Sequence, residues 1–277
     1  MATDYSWGVI GTSPSATQFI TSLQRGGRHI AGVAGKSFAQ AIAFATQNSI
    51  MQAMLTPQQL ITNQQIDAVY FDEDFSEECW LIQMAMQAGK HILFNQMAAD
   101  NVSRLAYLKQ QAQNAGIQVA VLNPLLTMPL VEKVAALLEN EEVKKLTMYI
   151  APGQDPLRYT DIFCSWLSSL LPHARLTLAK AGQFLFEGDG VEASIKESTE
   201  PDLIEKLSVQ TDRNVYLLDS ALVPLTLKIN GEEPEVVGKS KLAQLYFIEE
   251  FEKQAGESYQ LLEKQELVMA HIRQLAE

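Results

Sequence analysis

The stretch YSWGVIGTSPSATQFITSLQRGG, residues 5–27, decides the fold. Tyr5 to Ile10 is a short apolar run that stops at Gly11, the pattern of a strand buried inside a parallel sheet. From Ser15 to about Arg25, Phe19, Ile20 and Leu23 fall at helical spacing, and Gly26-Gly27 ends the helix. A strand that enters a helix through a glycine turn opens a βαβ unit. The alternation continues outward from there. His29 to Gly35 reads as a second strand, and Ser37 caps a helix carrying Ala41, Phe44 and Ala45. Thr56-Pro57 opens a short helix with Pro at its first position. Ile66 to Phe71 is a strand, and Ser76 caps a helix with Trp80, Met84 and Ala88 on one face and Gly89 at its end. His91 to Phe94, then a helix from Asn101 to Ala115, then Gln118 to Leu122 complete the series. Strands alternating with such helices predict a doubly wound parallel sheet with right-handed crossovers.

Past Pro129 the character changes. Leu130 to Leu138 reads as a helix, Val143 to Ile150 as a strand and Thr160 to Leu171 as a helix. From Leu176 to about Val237 the alternation is of the strand type, and Asn230-Gly231 signals a tight hairpin. Leu242 to Gln254 and Glu263 to Leu275 read as two closing helices. The expected division is a doubly wound domain over 1–122 and an α+β domain with a mostly antiparallel open sheet over 123–277.

The chain has 277 residues, enough for two such units, and is 47% hydrophobic. Lys plus Arg is 21 against 33 Asp plus Glu, a net charge of −12. That surface repels phosphate backbones and anionic lipid, so neither nucleic acid nor membrane is expected as a partner. No apolar run approaches the ~18 residues that span a bilayer. The opening MATDYSWGVIG has no basic region followed by an apolar one, so no signal peptide is expected and a cytoplasmic location is. Two cysteines, Cys79 and Cys164, are too few for a disulfide framework. His29, His91, His173 and His271 show no metal-ligand spacing, so no metal is expected.

The turn Gly11-Thr12-Ser13-Pro14-Ser15-Ala16 has the position and length of GxGxxG/A. In that motif backbone N–H groups and a helix N-terminus face a pyrophosphate. Gly11 supplies the tight turn and Ala16 the small residue for helix–strand packing. The middle position, where backbone must approach phosphate, is Ser13, and Pro14 removes a donor. A plain βα turn fits these residues as well as a dinucleotide site does. The second strand ends in Ala34-Gly35-Lys36-Ser37, without the carboxylate that binds a ribose 2′-hydroxyl. Lys36 suits a 2′-phosphate, so NADP is favoured over NAD, if any dinucleotide binds; a solvated lysine beside a helix cap is the plain alternative.

The wording of the first half resembles the Gfo/Idh/MocA oxidoreductase family. GVIGTSPSATQFITSL, HIAGVAGKS, IDAVYFDEDFSEECW and MQAGKHILFNQMAAD are similar to the family's GIIGTGxIAxxF, VAAVASRS, IDAVYIATPNxxH and ALQAGKHVLCEKPLA. The most specific piece is Ala88-Gly89-Lys90-His91-Ile92-Leu93, and Phe247 to Phe251 resembles the start of the family's closing helices. The likeness is clear from about Trp7 to Asn123 and looser beyond. It implies a Rossmann domain, a second domain with a large open sheet, a small-molecule ligand in the cleft between them, and a homodimer or higher assembly. Apolar strands such as Val215 to Leu218 and Leu222 to Leu225 also ask for a cover.

The departures fall at the chemistry. Aligned on Gly89-Lys90-His91, the family's EKP becomes Asn95-Gln96-Met97. The family lysine contacts substrate and nicotinamide, whereas Gln96 carries no charge and transfers no proton. The TPNxxH loop becomes acidic, placing Asp72, Glu73 and Asp74 at the carboxyl end of a central strand. Three carboxylates there oppose a pyrophosphate, hold a cation or basic ligand, or simply face water. The family's D-x-G-x-[HY] motif has its nearest match in Asp161-Ile162-Phe163-Cys164-Ser165. Asp161 and Ser165 share a helix face, but Ser165 is a poor proton donor; Asp161 reads equally as a helix cap.

The resemblance thus implies an NAD(P)-dependent oxidoreductase of a sugar, cyclitol or similar compound, with a degenerate site. The alternatives are an inactive relative that binds a ligand or regulates a partner, and a structural protein with an empty crevice. The family positions are Gln96, Asp161 and Ser165 for catalysis. Those for the cofactor are Gly11, Thr12, Ser13, Ala16, Gly35, Lys36, Ser37, Asp72 and Asn95.

Overall fold

The computed structural model describes residues 5–72, 79–95, 102–173, 175–180, 183–186, 191–200, 205–219, 226–238, 242–254 and 259–274. They divide into two compact units. The first comprises Met1–Pro124 with Gln244–Gln265, and the second Leu125–Ala243 with Glu266–Glu277. Residues 244–265 therefore pack with the first unit, where a single cut after residue 122 places them with the second.

The first unit is a Rossmann fold. Its strands are β1 (Ser6–Ile10), β2 (His29–Ala34), β3 (Ala68–Phe71), β4 (His91–Phe94) and β5 (Val119–Val121). They pair in parallel in the order β2-β1-β3-β4-β5. A parallel bridge between Val33 and Ala53 holds the position beyond β2. The order reverses between β1 and β3, the switch point of a doubly wound sheet. The connecting helices are α1 (Pro14–Arg25), α2 (Phe38–Gln47), α3 (Pro57–Thr62), α4 (Cys79–Gln87) and α5 (Val102–Ala115). Helix α1 buries Phe19, Ile20 and Leu23, and α2 buries Ala41, Phe44 and Ala45, the faces their spacing predicts. The predicted Ser37 cap forms, accepting from the Gln40 N–H; the short helix opens at Pro57 as expected, with Thr56 accepting from the Gln59 N–H.

Helix α4 differs. Its buried residues are Leu81, Ile82 and Ala85, while Trp80 is 49% exposed. The face with Trp80, Met84 and Ala88 was the wrong stripe: two apolar stripes compete here, and the sheet takes the aliphatic one. The Ser76 cap lies outside the described residues. Lys90, in the most family-like block, is buried and donates to the carbonyls of Asn63 and Ile66 at 2.8 and 2.6 Å. Its role is to tie a loop to the sheet.

Helix α8 (Ala243–Gln254) completes the first unit's core. Phe251 packs on Trp7, with ring centroids 5.7 Å apart, and Trp7 meets Phe19 at 5.3 Å. Glu252, 1% exposed, accepts from Trp7 Nε1 at 3.1 Å and from Arg28 Nη2 at 2.7 Å. Gln118 donates to Gln254 in the same buried layer.

The second unit opens with α6 (Pro129–Leu138), β6 (Val143–Ile150) and α7 (Thr160–Leu170). Its strands continue as β7 (Leu176–Lys180), β8 (Gln183–Phe186), β9 (Glu192–Glu197), β10 (Glu205–Thr211), β11 (Val215–Asp219), β12 (Thr226–Ile229) and β13 (Glu235–Val236). The sheet order is β13-β12-β11-β10-β6-β9-β8-β7. All pairs are antiparallel except β6 with β9. Asn230 and Gly231 have φ of 51° and 79°, the left-handed conformations that the predicted hairpin turn requires.

One face of this sheet is packed. Leu146, Met148, Leu207, Tyr216 and Leu218 share a core with Val134, Phe163 and Trp166 from α6 and α7. Tyr216 and Leu218 are thus covered by their own unit. Strand alternation puts Lys145, Thr147, Tyr149, Lys206, Ser208, Val215, Leu217 and Lys228 on the opposite face, which mixes polar and apolar residues. Residues 222–225 lie outside the described residues. Helix α9 (Gln260–Gln274) is divided between the units at Gln265.

Candidate functional site

The carboxyl ends of β1, β2 and β3 bring together Gly11, Thr12, Ser13, Gly35 and Asp72. Gly11 has φ of 130°, and a Cβ built there would stand 2.1 Å from Asp72 Cβ. Only glycine fits, because the Asp72 side chain lies directly on the turn. A Cβ on Gly35 would stand 3.1 Å from the Thr12 methyl, so the second strand's end also closes on the loop. Ala16 is fully buried against the sheet, as the third motif position requires.

Helix α1 begins at Pro14 with Ser13 as its cap. Ser13 Oγ accepts from the N–H groups of Ser15 at 3.0 Å and Ala16 at 3.3 Å. The Ser13 N–H donates to Asp72 Oδ2 at 3.1 Å. The Gly11 N–H is taken by the Ala34 carbonyl at 2.9 Å. Pro14 has no N–H. The N–H groups of Gly11, Ser13, Ser15 and Ala16 are therefore engaged within the protein.

Asp72 is fully buried, and its Oδ1 has no hydrogen-bond partner among the described residues. Its own N–H donates to the Ile10 carbonyl, which fixes the backbone beside the turn. The sequence singles out Asp72 as an acid near the crevice but not as the acceptor that occupies the helix start. The Ser-Pro-Ser-Ala run does carry a signal for the cap, since Ser before Pro is a common helix opening.

The other predicted positions are spread around this centre. Lys36 is exposed just past β2, and the neighbouring Ser37 spends its hydroxyl on the α2 cap. Asn95 follows β4, its N–H donating to the Phe71 carbonyl at 2.9 Å. Gln96, Glu73 and Asp74 lie outside the described residues. Asp161 and Ser165 stand on α7 in the second unit. Ser165 Oγ donates to the Asp161 carbonyl at 2.8 Å, a bond back to its own helix. Asp161 is exposed, yet partial burial raises its carboxyl above the ordinary range. It is not the helix cap, which is Tyr159. Burial, with the Asp161 charge adding to it, pushes the Cys164 thiol up to about 12, which makes it a poor nucleophile. Among the described residues, no three His, Cys, Asp or Glu form a metal-holding group.

Two clefts of about 320 Å³ open in the first unit, one beside Arg28, His29 and Gln52, the other beside Tyr5, Asp67 and His91. Both lie at the amino ends of the strands, whereas ligands of doubly wound sheets bind at the carboxyl ends. The second is floored by structural bonds: Asp67 accepts from the Ser6 N–H and Lys90 is tied to carbonyls. The carboxyl-end crevice is the better candidate.

No family model matches the chain. A 112-residue stretch, 40% of the chain, is 26% identical to a 1,5-anhydro-D-fructose reductase of Ensifer adhaerens; it spans only 34% of that protein. The fold extends further. KijD10, a 3-ketoreductase from Actinomadura kijaniata solved with NADP, superposes with a TM-score of 0.77 at 16% identity, covering 99% of this chain and 97% of that one. UDP-N-acetylglucosamine 3-dehydrogenase GnnA from Acidithiobacillus ferrooxidans gives 0.74 at 16% identity over 99% and 97%. A biliverdin reductase from Synechocystis, solved with biliverdin and NADP+, gives 0.68 at 17% over 99% and 98%. At these identities the likeness shows the two-domain fold. No described helix is long and apolar enough to cross a membrane.

Proposed function

We propose that this chain is an NADP-linked oxidoreductase of the Gfo/Idh/MocA type, acting on a sugar, cyclitol or similar hydroxyl or carbonyl compound through a degenerate site. The observation that carries the reading is the glycine turn at the β1–β3 switch point, with Gly11, Ala16 and Gly35 in the packing roles of a dinucleotide loop. It is supported by the NADP-bound 3-ketoreductase, whose fold matches nearly the whole chain, and by the anhydrofructose reductase stretch.

The fit to a dinucleotide is partial. The turn, the buried Ala16 and the exposed Lys36 suit one, Lys36 as partner of a 2′-phosphate. The Asp72 carboxylate does not, because it holds the Ser13 N–H. When bound, the cofactor would supply the hydride; Gly11, Thr12 and Ser13 would position its phosphates and Asn95 would border the crevice. Asp161 and Ser165 are proposed for the substrate side. Self-association through the second unit's sheet belongs to the same reading.

A second reading is favoured by one observation. The start of α1 already has its counter-charge in Asp72, so a ligand-binding or regulatory protein on the same scaffold needs no cofactor there.

Calorimetric titration with NADPH and NADH tests the proposal. NADPH is expected to bind more tightly, and Lys36→Glu should weaken NADPH by about tenfold, the equivalent of ~1.4 kcal/mol. Equal or tighter binding of NADH, or unchanged NADPH affinity in Lys36→Glu, contradicts the assignment.

A further inference from the structure

We propose that Asp72 is a built-in occupant of the crevice's anion site, a carboxylate of the protein standing where a pyrophosphate would bind and setting how weakly one is taken. This rests on the reading of the crevice as a dinucleotide site.

Three observations converge on Asp72. Its Oδ2 accepts from the Ser13 N–H at 3.1 Å, at the start of the twelve-residue helix α1. A helix N-terminus favours an anion, and here the anion is internal. The side chain is fully buried and its Cβ is held against Gly11, so the carboxylate is placed on the turn and does not arrive there from solvent. Oδ1 is buried with no partner among the described residues. A carboxylate serving only as a cap would be expected to have both oxygens satisfied. Half-satisfied among the described residues, the Asp72 side chain is held to the loop by its bond from the Ser13 N–H and can be displaced.

The remaining donors reinforce the point. Ser15 and Ala16 give their N–H groups to Ser13 Oγ. An entering diphosphate must break the Asp72 bond, and then lies beside the carboxylate it displaced. Both effects oppose binding, and both originate in one side chain. Asp72→Ala keeps the Cβ that packs on Gly11 and removes the competitor. Asp72→Asn removes the charge and keeps an acceptor for the Ser13 N–H.

The test is calorimetric titration of wild type, Asp72→Ala and Asp72→Asn with NADPH and, separately, with ADP, which shares the diphosphate and lacks nicotinamide. Asp72→Ala is expected to bind both ligands at least tenfold more tightly than wild type, with Asp72→Asn between them. Should the alanine variant fail to fold, as judged by circular dichroism, a threefold or greater gain in Asp72→Asn supports the inference. Equal affinities in all folded proteins overturn it. If NADPH binds wild type and variants alike, the Asp72 inference falls and the cofactor reading stands. A gain for ADP with NADPH binding no tighter than ADP upholds Asp72 and overturns the cofactor reading. Silence from both ligands on all three proteins overturns both.

Discussion

Glu252→Ala is expected to lower the stability of the first unit by about 3–5 kcal/mol, the usual effect of removing one partner from a buried ion pair. Glu252 is 1% exposed and satisfies two donors from distant parts of the chain, Trp7 Nε1 and the Arg28 guanidinium. Its loss leaves the indole N–H without that acceptor and Arg28, 13% exposed at its side chain, without its carboxylate. Arg28 Nη1 still donates to the Gly26 carbonyl, so part of the guanidinium stays satisfied. Glu252→Gln retains an acceptor for Trp7 and should lose less. Urea unfolding followed by tryptophan fluorescence reads the change, since Trp7 lies at the contact. A loss below about 1 kcal/mol in Glu252→Ala would mean that α8 is fastened by Phe247, Ile248 and Phe251 alone, through apolar burial.

The second large effect concerns turnover. Hydride transfer from NADPH to a keto compound, or from a polyol, sugar or cyclitol to NADP+, is expected to be about 10²–10³-fold slower than an intact site would give. That is the usual effect of one missing electrostatic contact to a developing charge. On the proposed alignment, Gln96 takes the family lysine's position and accounts for one such loss. On the same proposal, Ser165 takes the acid/base position and accounts for a second, worth ~10²–10⁴. Its hydroxyl is bonded to the Asp161 carbonyl. Residues that act as a unit are not additive, so the factors are not multiplied. Gln96→Lys should not rescue activity alone, since Ser165 and Asp72 remain. A screen with both cofactors on wild type and Gln96→Ala checks this. Robust wild-type turnover that collapses in Gln96→Ala would show a new chemistry built around Gln96 and end the degenerate reading.

Local signals were the legible ones. Ser37 forms the cap its side chain predicts, the short helix opens at Pro57, and Asn230-Gly231 takes the positive φ values its composition permits. Val143–Ile150 and His91–Phe94 are strands within the expected bounds. What the sequence hid depends on residues far apart in the chain. Nothing in Phe247 to Glu252 marks Glu252 as the carboxylate that turns inward, because its partners are about 225 to 245 positions away. Helix α4 offered two apolar stripes, and only the sheet chose between them. Asp72 reads as the first of several acids in a loop. Its bond to Ser13, 59 positions earlier, appears only when β1 and β3 are paired.

The most direct measurement of the central claim is a crystal structure of the protein grown with millimolar NADPH. The diphosphate is expected against the Ser13 N–H, the 2′-phosphate near Lys36, and the Asp72 carboxylate displaced from its 3.1 Å contact. A crevice without cofactor, or a dinucleotide bound elsewhere with the Asp72–Ser13 bond intact, would contradict it.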